Sequence, residues 1–260
     1  MDTPRDIFYS RRSTLLSIRL WVGRRVFGAV GQLGVRASRN RIVKGPCEAA
    51  ELTALQYVAR HTTVSVPNVY GVYHCPDSLY IELEYVHGMD VQRAWLGGYL
   101  SPPQKKQMVS EIAGYIEQLR SLEPPQKEIV GSASLEGGLT IFHCFFRKNI
   151  PIEDSTKVFG QEVTDCHSRS YRSCFTHADP CPRNIIVDNG RVTARIDWEF
   201  SGWYPEHWEY TKAHYIQLIM PDWYEGLESA ITKYDEKLKA EWTTWTQCDQ
   251  PGMPVDMCNA

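Results

Sequence analysis

The sequence predicts an α+β protein of two lobes: a small N-terminal sheet-plus-helix lobe over residues 1–90 and a larger, mainly helical C-terminal lobe over residues 91–260. Three observations carry this reading. Short segments of strand character, separated by turn residues, dominate the chain before residue 90. After Gly97 and Gly98 the apolar positions switch to helical spacing. The length of 260 residues suits one large domain or two lobes that share a cleft.

Residues 7–30 contain no acidic side chain, carry several arginines and gather Leu15, Leu16, Ile18, Leu20, Trp21 and Val22; they read as an amphipathic helix or as an organelle-targeting peptide. The following "GVRASRNRIVKG" alternates around Ser38, Arg39 and Asn40, which predicts a hairpin whose second strand ends near Lys44. Leu52, Leu55 and Val58 in "EAAELTALQYVARH" are spaced for one helix face. Two strands follow around the breakers Pro76 and Asp77 and end at Gly88, giving a small sheet crossed by one helix. Ser101 and the two prolines after it start a helix with Met108, Val109, Ile112, Ile116 and Leu119 on one face, stopped by Pro124 and Pro125. Residues 126–170 have weak periodicity, and helices are expected around 206–219 and 222–245 before a poorly ordered tail.

Composition excludes several functions. No apolar run approaches the roughly 18 residues of a membrane-spanning helix, and no signal peptide with a compact apolar core opens the chain, so a cytoplasmic location without a membrane partner is expected. The net charge of −3 implies no general affinity for nucleic acid. Eight scattered cysteines, with no CxxC pair and no zinc-finger spacing, read as reduced thiols, mostly buried. Charge is unevenly spread: residues 1–46 carry ten Arg/Lys against Asp2 and Asp6, and residues 201–260 carry ten Asp/Glu against four lysines. These are either two solvated faces of opposite sign or a phosphate-attracting lobe and one that attracts a cationic substrate.

The stretch "CFTHADPCPRNIIVDNGRVTARIDWEF", residues 174–200, concentrates the chemistry. Asn189 and Gly190 are the two central residues of a tight hairpin turn. Counting outward, Asp188 faces Arg191, Ile186 faces Thr193 and Asn184 faces Arg195, which sets Asp197 diagonally from Asn184, roughly 7 Å away. Asn184 and Asp197 can then share a metal ion, and an oxygen-only donor set suits Mg2+ rather than zinc. Asp179, in a loop broken by Pro180 and Pro182, can reach past that pair toward a substrate hydroxyl. A neutral asparagine has no place in the paired carboxylates of a glycosidase. Taken singly, the three are also a turn residue, a loop cap and a strand end.

"HADPCPRN" followed by "IDWE" resembles the catalytic loop and metal-binding segment of the aminoglycoside phosphotransferase and choline kinase family, a branch of the protein-kinase-like fold, and "GWYPEHWEY" resembles the version common among fungal members. The resemblance implies an ATP- and Mg2+-dependent kinase that moves the γ-phosphoryl group to a hydroxyl of a small molecule such as an amino sugar, an amino alcohol or a secondary metabolite; the alternative is a kinase-like protein without phosphotransfer that acts as a binding module or catalyses a different biosynthetic step. It makes Asp179 the catalytic base, His177 the residue that braces its loop, and Asn184 and Asp197 the magnesium ligands. Lys44 becomes the phosphate-contacting lysine with Glu51 as its ion-pair partner, Glu48 competing for that place. "YIELEYVHG" resembles the hinge, where backbone groups of Glu84 and Val86 would meet adenine; it is equally an amphipathic strand. Two departures stand out. "GAVGQLG", from Gly28 to Gly34, fits a strand-loop-strand phosphate loop poorly, and Pro180 stands where leucine is usual.

Overall fold

The computed structural model describes residues 8–10, 13–31, 33–76, 78–125, 130–133, 161–215, 220 and 222–247. Six strands form the N-terminal sheet: β1 (Phe8–Ser10), β2 (Ala29–Val30), β3 (Gly34–Ser38), β4 (Arg41–Cys47), β5 (Val69–Cys75) and β6 (Ser78–Glu84). Their order is β1-β5-β6-β4-β3-β2, antiparallel except for β1 beside β5. The segment from Gly28 to Gly34 does form a strand-loop-strand unit, with Val30 opposite Gly34. Gly34 permits it, because a Cβ there would stand 2.5 Å from the Val30 carbonyl oxygen.

Two helices cross this sheet where one was expected, α1 (Ser13–Val26) and α2 (Ala49–His61). Strand alternation decides what each covers. Val43 is fully buried in a cluster with Leu16 of α1 and Tyr73, whereas its neighbour Ile42 packs into the cluster around Ala54, Leu55 and Val58 of α2. Lys44 therefore points to the α2 side. Glu82 points to the α1 side and is 3% exposed. Arg19 of α1 reaches its carboxylate through both terminal nitrogens, one at 2.6 Å, while the Tyr73 hydroxyl donates at 2.7 Å and Arg41 at 3.0 Å. Burial alone would raise the Glu82 pKa, but these donors outweigh it and hold the carboxyl below its ordinary value.

The rest is mainly helical: α3 (Val91–Leu96), α4 (Pro102–Arg120), α5 (Gln161–Ser168), α6 (Trp208–Ala213), α7 (Trp223–Ala230) and α8 (Asp235–Gln247). The five apolar residues that predicted α4 are all buried. The helix expected over 222–245 is two, because the β-branched Ile231 and Thr232 follow α7 in non-helical backbone and Asp235 opens a new one. Two small sheets accompany the helices: β7 (Met89–Asp90), β10 (Ile185–Asp188) and β11 (Arg191–Arg195), and then β8 (Gly131–Ser132), β9 (Ser173–Thr176) and β12 (Gly202–Pro205). Residues 126–129, 134–160 and 216–219, and the tail from 248, lie outside the described residues. The five described cysteines are free, and Cys166, Cys174 and Cys181 are buried.

One core cluster joins the two halves, since Leu119, Phe175, Trp198 and Trp203 pack with Leu55, Val58, Ile81 and Leu83. Trp208 and Trp223 are likewise buried in clusters. The Arg19 contact generates a prediction for the outer helix. Arg19→Met, which leaves Glu82 with two donors, lowers the unfolding free energy by about 1–3 kcal/mol, at the low end because Arg19 is a third exposed. Ile18→Ser, on the outward side of the same helix, changes it by less than about 0.5 kcal/mol; urea titration of the two variants checks the difference.

Candidate active site

The hairpin after the loop turns as expected, with Asn189 and Gly190 both at positive φ. Asp188 faces Arg191. The register then departs from the simple count, because a bulge shifts it: Ile186 faces Ala194, and Ile185 faces Arg195. Thr193 is the extra residue, and its hydroxyl donates to the Ile186 carbonyl at 3.1 Å, so the bulge leaves that oxygen satisfied. Asn184 is not on the strand at all but ends a 3-10 turn over Pro182–Asn184. Its carbonyl still accepts from the Ile196 amide at 2.9 Å, which holds Asn184 beside the residue that precedes Asp197.

The asparagine side chain is oriented by Asp179. Its Nδ2 donates to Asp179 Oδ2 at 2.7 Å and to the Asp179 carbonyl at 3.2 Å. Both partners are acceptors, so the nitrogen must face them and Oδ1 is left as the atom able to bind a cation. Burial and the nearby charge of Asp197 raise the Asp179 pKa, with the Asn184 hydrogen bond opposing them. The influence of Asp197 on Asp179 shows that the two carboxylates share one neighbourhood.

Lys44 lies at the centre of the other half of the site. Its Nζ donates to Glu51 Oε1 at 2.8 Å and to Asp197 Oδ1, and stands 3.6 Å from Glu199 Oε2. Glu51, on the first turn of α2, is the buried partner of Lys44, while Glu48 is exposed at the helix N-cap. Burial pulls the Lys44 pKa down, but the charges of Glu51 and Asp197 more than reverse this and the ammonium is held firmly protonated. For Glu51 burial dominates and the pKa rises despite Lys44. Carboxylate oxygens of Glu51, Asp197 and Glu199 lie within 4.8 Å of one another. With Asn184 Oδ1 and the second oxygen of Asp197, the donors available are all hard oxygens, which fits Mg2+.

Two segments here hold strained backbone. Ala178, immediately before Asp179, has φ 65°, and Asp197 has φ 67°. Such conformations cost of order 1–3 kcal/mol and persist only where the surroundings impose them. His177 helps impose them: it is fully buried, its Nε2 hydrogen-bonds the Ile196 carbonyl at 2.9 Å, its ring lies 4.5 Å from Trp198, and Ser201 Oγ donates to its carbonyl at 3.1 Å. Burial and the nearby Arg195 charge push its pKa well below the ordinary value, so the ring is neutral and Nε2 carries the proton it donates.

Sequence reasoning missed three residues. Arg195 is fully buried and pairs with Glu209 Oε1 at 2.9 Å. The other oxygen, Glu209 Oε2, accepts the Ala178 amide at 3.0 Å and so clamps the strained peptide next to Asp179. Nothing in local spacing connects positions 195 and 209, which meet only through the fold. Glu199 stood out only by its closeness in sequence to Asp197; the left-handed Asp197 and the turn at 199–200 bring its carboxylate back beside Asp197 and Lys44. At the hinge the Glu84 amide already donates to the Asn68 carbonyl at 2.8 Å, and the Val86 amide has no hydrogen-bond partner among the described residues.

The overall arrangement recurs in solved structures. The complex of an aminoglycoside 2''-phosphotransferase IIIa with GDP and kanamycin superposes with a TM-score of 0.62 at 12% identity, over 88% of either chain. A thermostable mutant of the aminoglycoside phosphotransferase APH(4)-Ia with AMP-PNP and hygromycin B gives a TM-score of 0.56 at 17% identity, again over 88% of both chains. ADP-bound aminoglycoside phosphotransferase APH(2'')-Ib gives 0.55 at 11% identity, over 87% of this chain and 85% of that one. At these identities the likeness is one of fold. No curated protein matches the chain in sequence. The sequence model of the phosphotransferase enzyme family, however, matches residues 43–245, from within β4 to the last turn of α8, and the chain therefore belongs to that phosphotransferase family.

Proposed function

We propose that the protein transfers the γ-phosphoryl group of ATP to a hydroxyl of a small molecule, with Mg2+ as cofactor, in a cleft between an N-terminal lobe to about residue 90 and a C-terminal lobe beyond it. The observation that carries this reading is the convergence of Lys44, Glu51, Asp179, Asn184 and Asp197 from four stretches of chain: β4, α2, the loop before β10 and the segment after β11. Magnesium, held by Asn184 Oδ1 and Asp197, would neutralise charge on the phosphates. Glu51 fixes the Lys44 rotamer so that the ammonium meets phosphate oxygens. Asp179, its amide-bound carboxylate aimed by Asn184, orients the acceptor hydroxyl and takes its proton; the raised pKa makes it a better base. Glu84 and Val86 present backbone groups to adenine. His177 stays neutral and braces the loop.

Kanamycin and hygromycin B in two of the similar structures support an acceptor rich in hydroxyls and amines, an amino sugar or amino alcohol, and the acidic balance of residues 201–260 supports a cation. The nucleotide in one is GDP and in the others AMP-PNP or ADP, so both ATP and GTP belong in the assay. Incubation with each nucleotide, Mg2+ and a panel of amino sugars and amino alcohols, read by the mass gain of one phosphate, tests the reading. In that assay Asp179→Asn, which keeps an oxygen facing Asn184, loses about 10²- to 10⁴-fold in turnover with its thermal unfolding unchanged. An undiminished rate would remove Asp179 from the mechanism.

The clamp on Ala178 yields a second expectation. Glu209→Gln strands the buried Arg195 guanidinium and destabilises the protein by about 3–5 kcal/mol. Adding Arg195→Met removes the stranded charge while the amide oxygen still faces Ala178, and stability and turnover both recover. Arg195→Met with Glu209→Leu recovers neither the Ala178 contact nor turnover; equal activity of the two double variants in the same assay would show the clamp to be idle. His177 supplies a pH dependence. Its folded pKa lies well below the ordinary value near 6.5, so on acidification the unfolded chain takes up a proton that the folded chain refuses. The stability it confers is full above about pH 6.5 and is lost as pH falls. Urea midpoints should fall more steeply between neutral and mildly acidic pH in the wild type than in His177→Gln.

A further inference from the structure

Helix α1 is apolar on two opposite sides. Leu16 and Gly23 are buried against the sheet and Leu20 is half-buried. On the far side Leu15, Ile18, Trp21, Val22 and Val26 are 50%, 59%, 64%, 40% and 64% exposed, and Phe27, Val30 and Leu33 extend the surface at 42%, 37% and 40%. Leu15, Ile18, Val22 and Val26 recur at intervals of three and four, which sets them in one stripe. Scattered exposed apolar residues are ordinary, whereas a continuous stripe of this kind marks a contact surface.

Among the described residues from Ser13 to Cys47 every formal charge is positive. Arg24 and Arg25 are exposed in its last turn, and no Asp or Glu occurs between Asp6 and Glu48. The Arg25 guanidinium lies 5.7 Å from the Trp21 ring, so the tryptophan and the cation stand at the same level of the surface. Arg19, the remaining charge of the helix, turns inward to Glu82. With Val43 toward α1 and Lys44 toward Glu51, the stripe occupies the back of the sheet, away from the candidate active site.

We propose that this face rests on an anionic lipid bilayer, its apolar stripe at the boundary of headgroups and acyl chains and Arg25, beside Trp21, against the headgroups. A tryptophan with a wet rim and an apolar body suits that depth. The expectation of no membrane partner rests on the lack of a spanning segment, and none of the described helices is long and apolar enough to cross a membrane. A helix of 14 residues lying in the interface needs no such length. A second copy fits worse, because an isologous contact would set a face whose charges are all positive against itself. A nucleic acid fits worse too, since the centre of the face is aliphatic and the cations are at its end. Docking here leaves the cleft open to the water side.

Sedimentation of the full chain with vesicles tests this independently of phosphotransfer. The protein should partition onto phosphatidylcholine vesicles containing phosphatidylserine, less with rising salt, and weakly onto phosphatidylcholine alone. Arg25→Gln should reduce partition onto the anionic vesicles about 5-fold, and Arg24→Gln, on the opposite flank of the helix, by less. The double variant Ile18→Ser/Trp21→Ser should abolish partition onto either, with its circular dichroism unchanged because both side chains point away from the sheet. Absence of partition at low salt overturns the proposal, as does partition that persists in the serine and glutamine variants. A dimer that binds no vesicles and dissociates in Ile18→Ser/Trp21→Ser overturns it in favour of a second copy, and retention on an oligonucleotide but not on vesicles does so in favour of nucleic acid.

Discussion

A buried ammonium cannot stand without counter-charge, and Lys44 makes that demand on most of the protein. Its partners come from α2, through Glu51, and from the segment after β11, through Asp197 and Glu199. Each of these carboxylates would repel the others in the absence of the lysine, and the lysine would be expelled without them. The strand that presents Lys44, the helix that presents Glu51 and the loop that presents Asp197 must therefore arrive together. Alternation along β4 assigns Lys44 to the α2 face, and that single parity choice ties the sheet to the segment that carries Asp197 and Glu199.

A second constraint operates on the backbone. Ala178 and Asp197 both sit in left-handed conformations, one on either side of the site, and neither is glycine. The two strained segments are tied to each other by His177, whose ring reaches the Ile196 carbonyl, and to the helical half by Glu209, which holds the Ala178 amide. Arg195, fully buried, pairs with Glu209 and so fixes the carboxylate that holds the Ala178 amide. Rigidity at the site is thus made by side chains arriving from β11 and α6, outside the loop that carries Asp179 and Asn184.

Much of this was legible in the chain because local rules sufficed. Strands β3 to β6 and α2 followed from alternation and helical spacing, α4 from Ser101 and the two prolines, and the β10–β11 turn from Asn189 and Gly190. The grouping of Asp179, Asn184 and Asp197 followed from counting outward from that turn. The count missed the bulge at Thr193, since an extra residue leaves no trace in a sequence of β-formers; Asn184 reaches its place through the 3-10 turn and the Ile196 amide instead. The segment from Gly28 to Gly34 looked unsuited to a hairpin because its strands are short. The Arg195 and Glu209 pair was invisible because fourteen residues and a change of secondary structure separate two ordinary-looking charges.

The apolar cluster in which Leu55, Val58, Ile81 and Leu83 meet Leu119, Phe175, Trp198 and Trp203 has a consequence for modularity. On that side the two halves are one continuous interior, so cutting the chain between them would expose aliphatic surface on one product and aromatic surface on the other. Any rocking of one half over the other must pivot about this seam, opening the far edge while the α2 side stays shut. Chimeras assembled from such halves would need the seam transplanted as a unit, indoles included, before either piece could fold around a new companion.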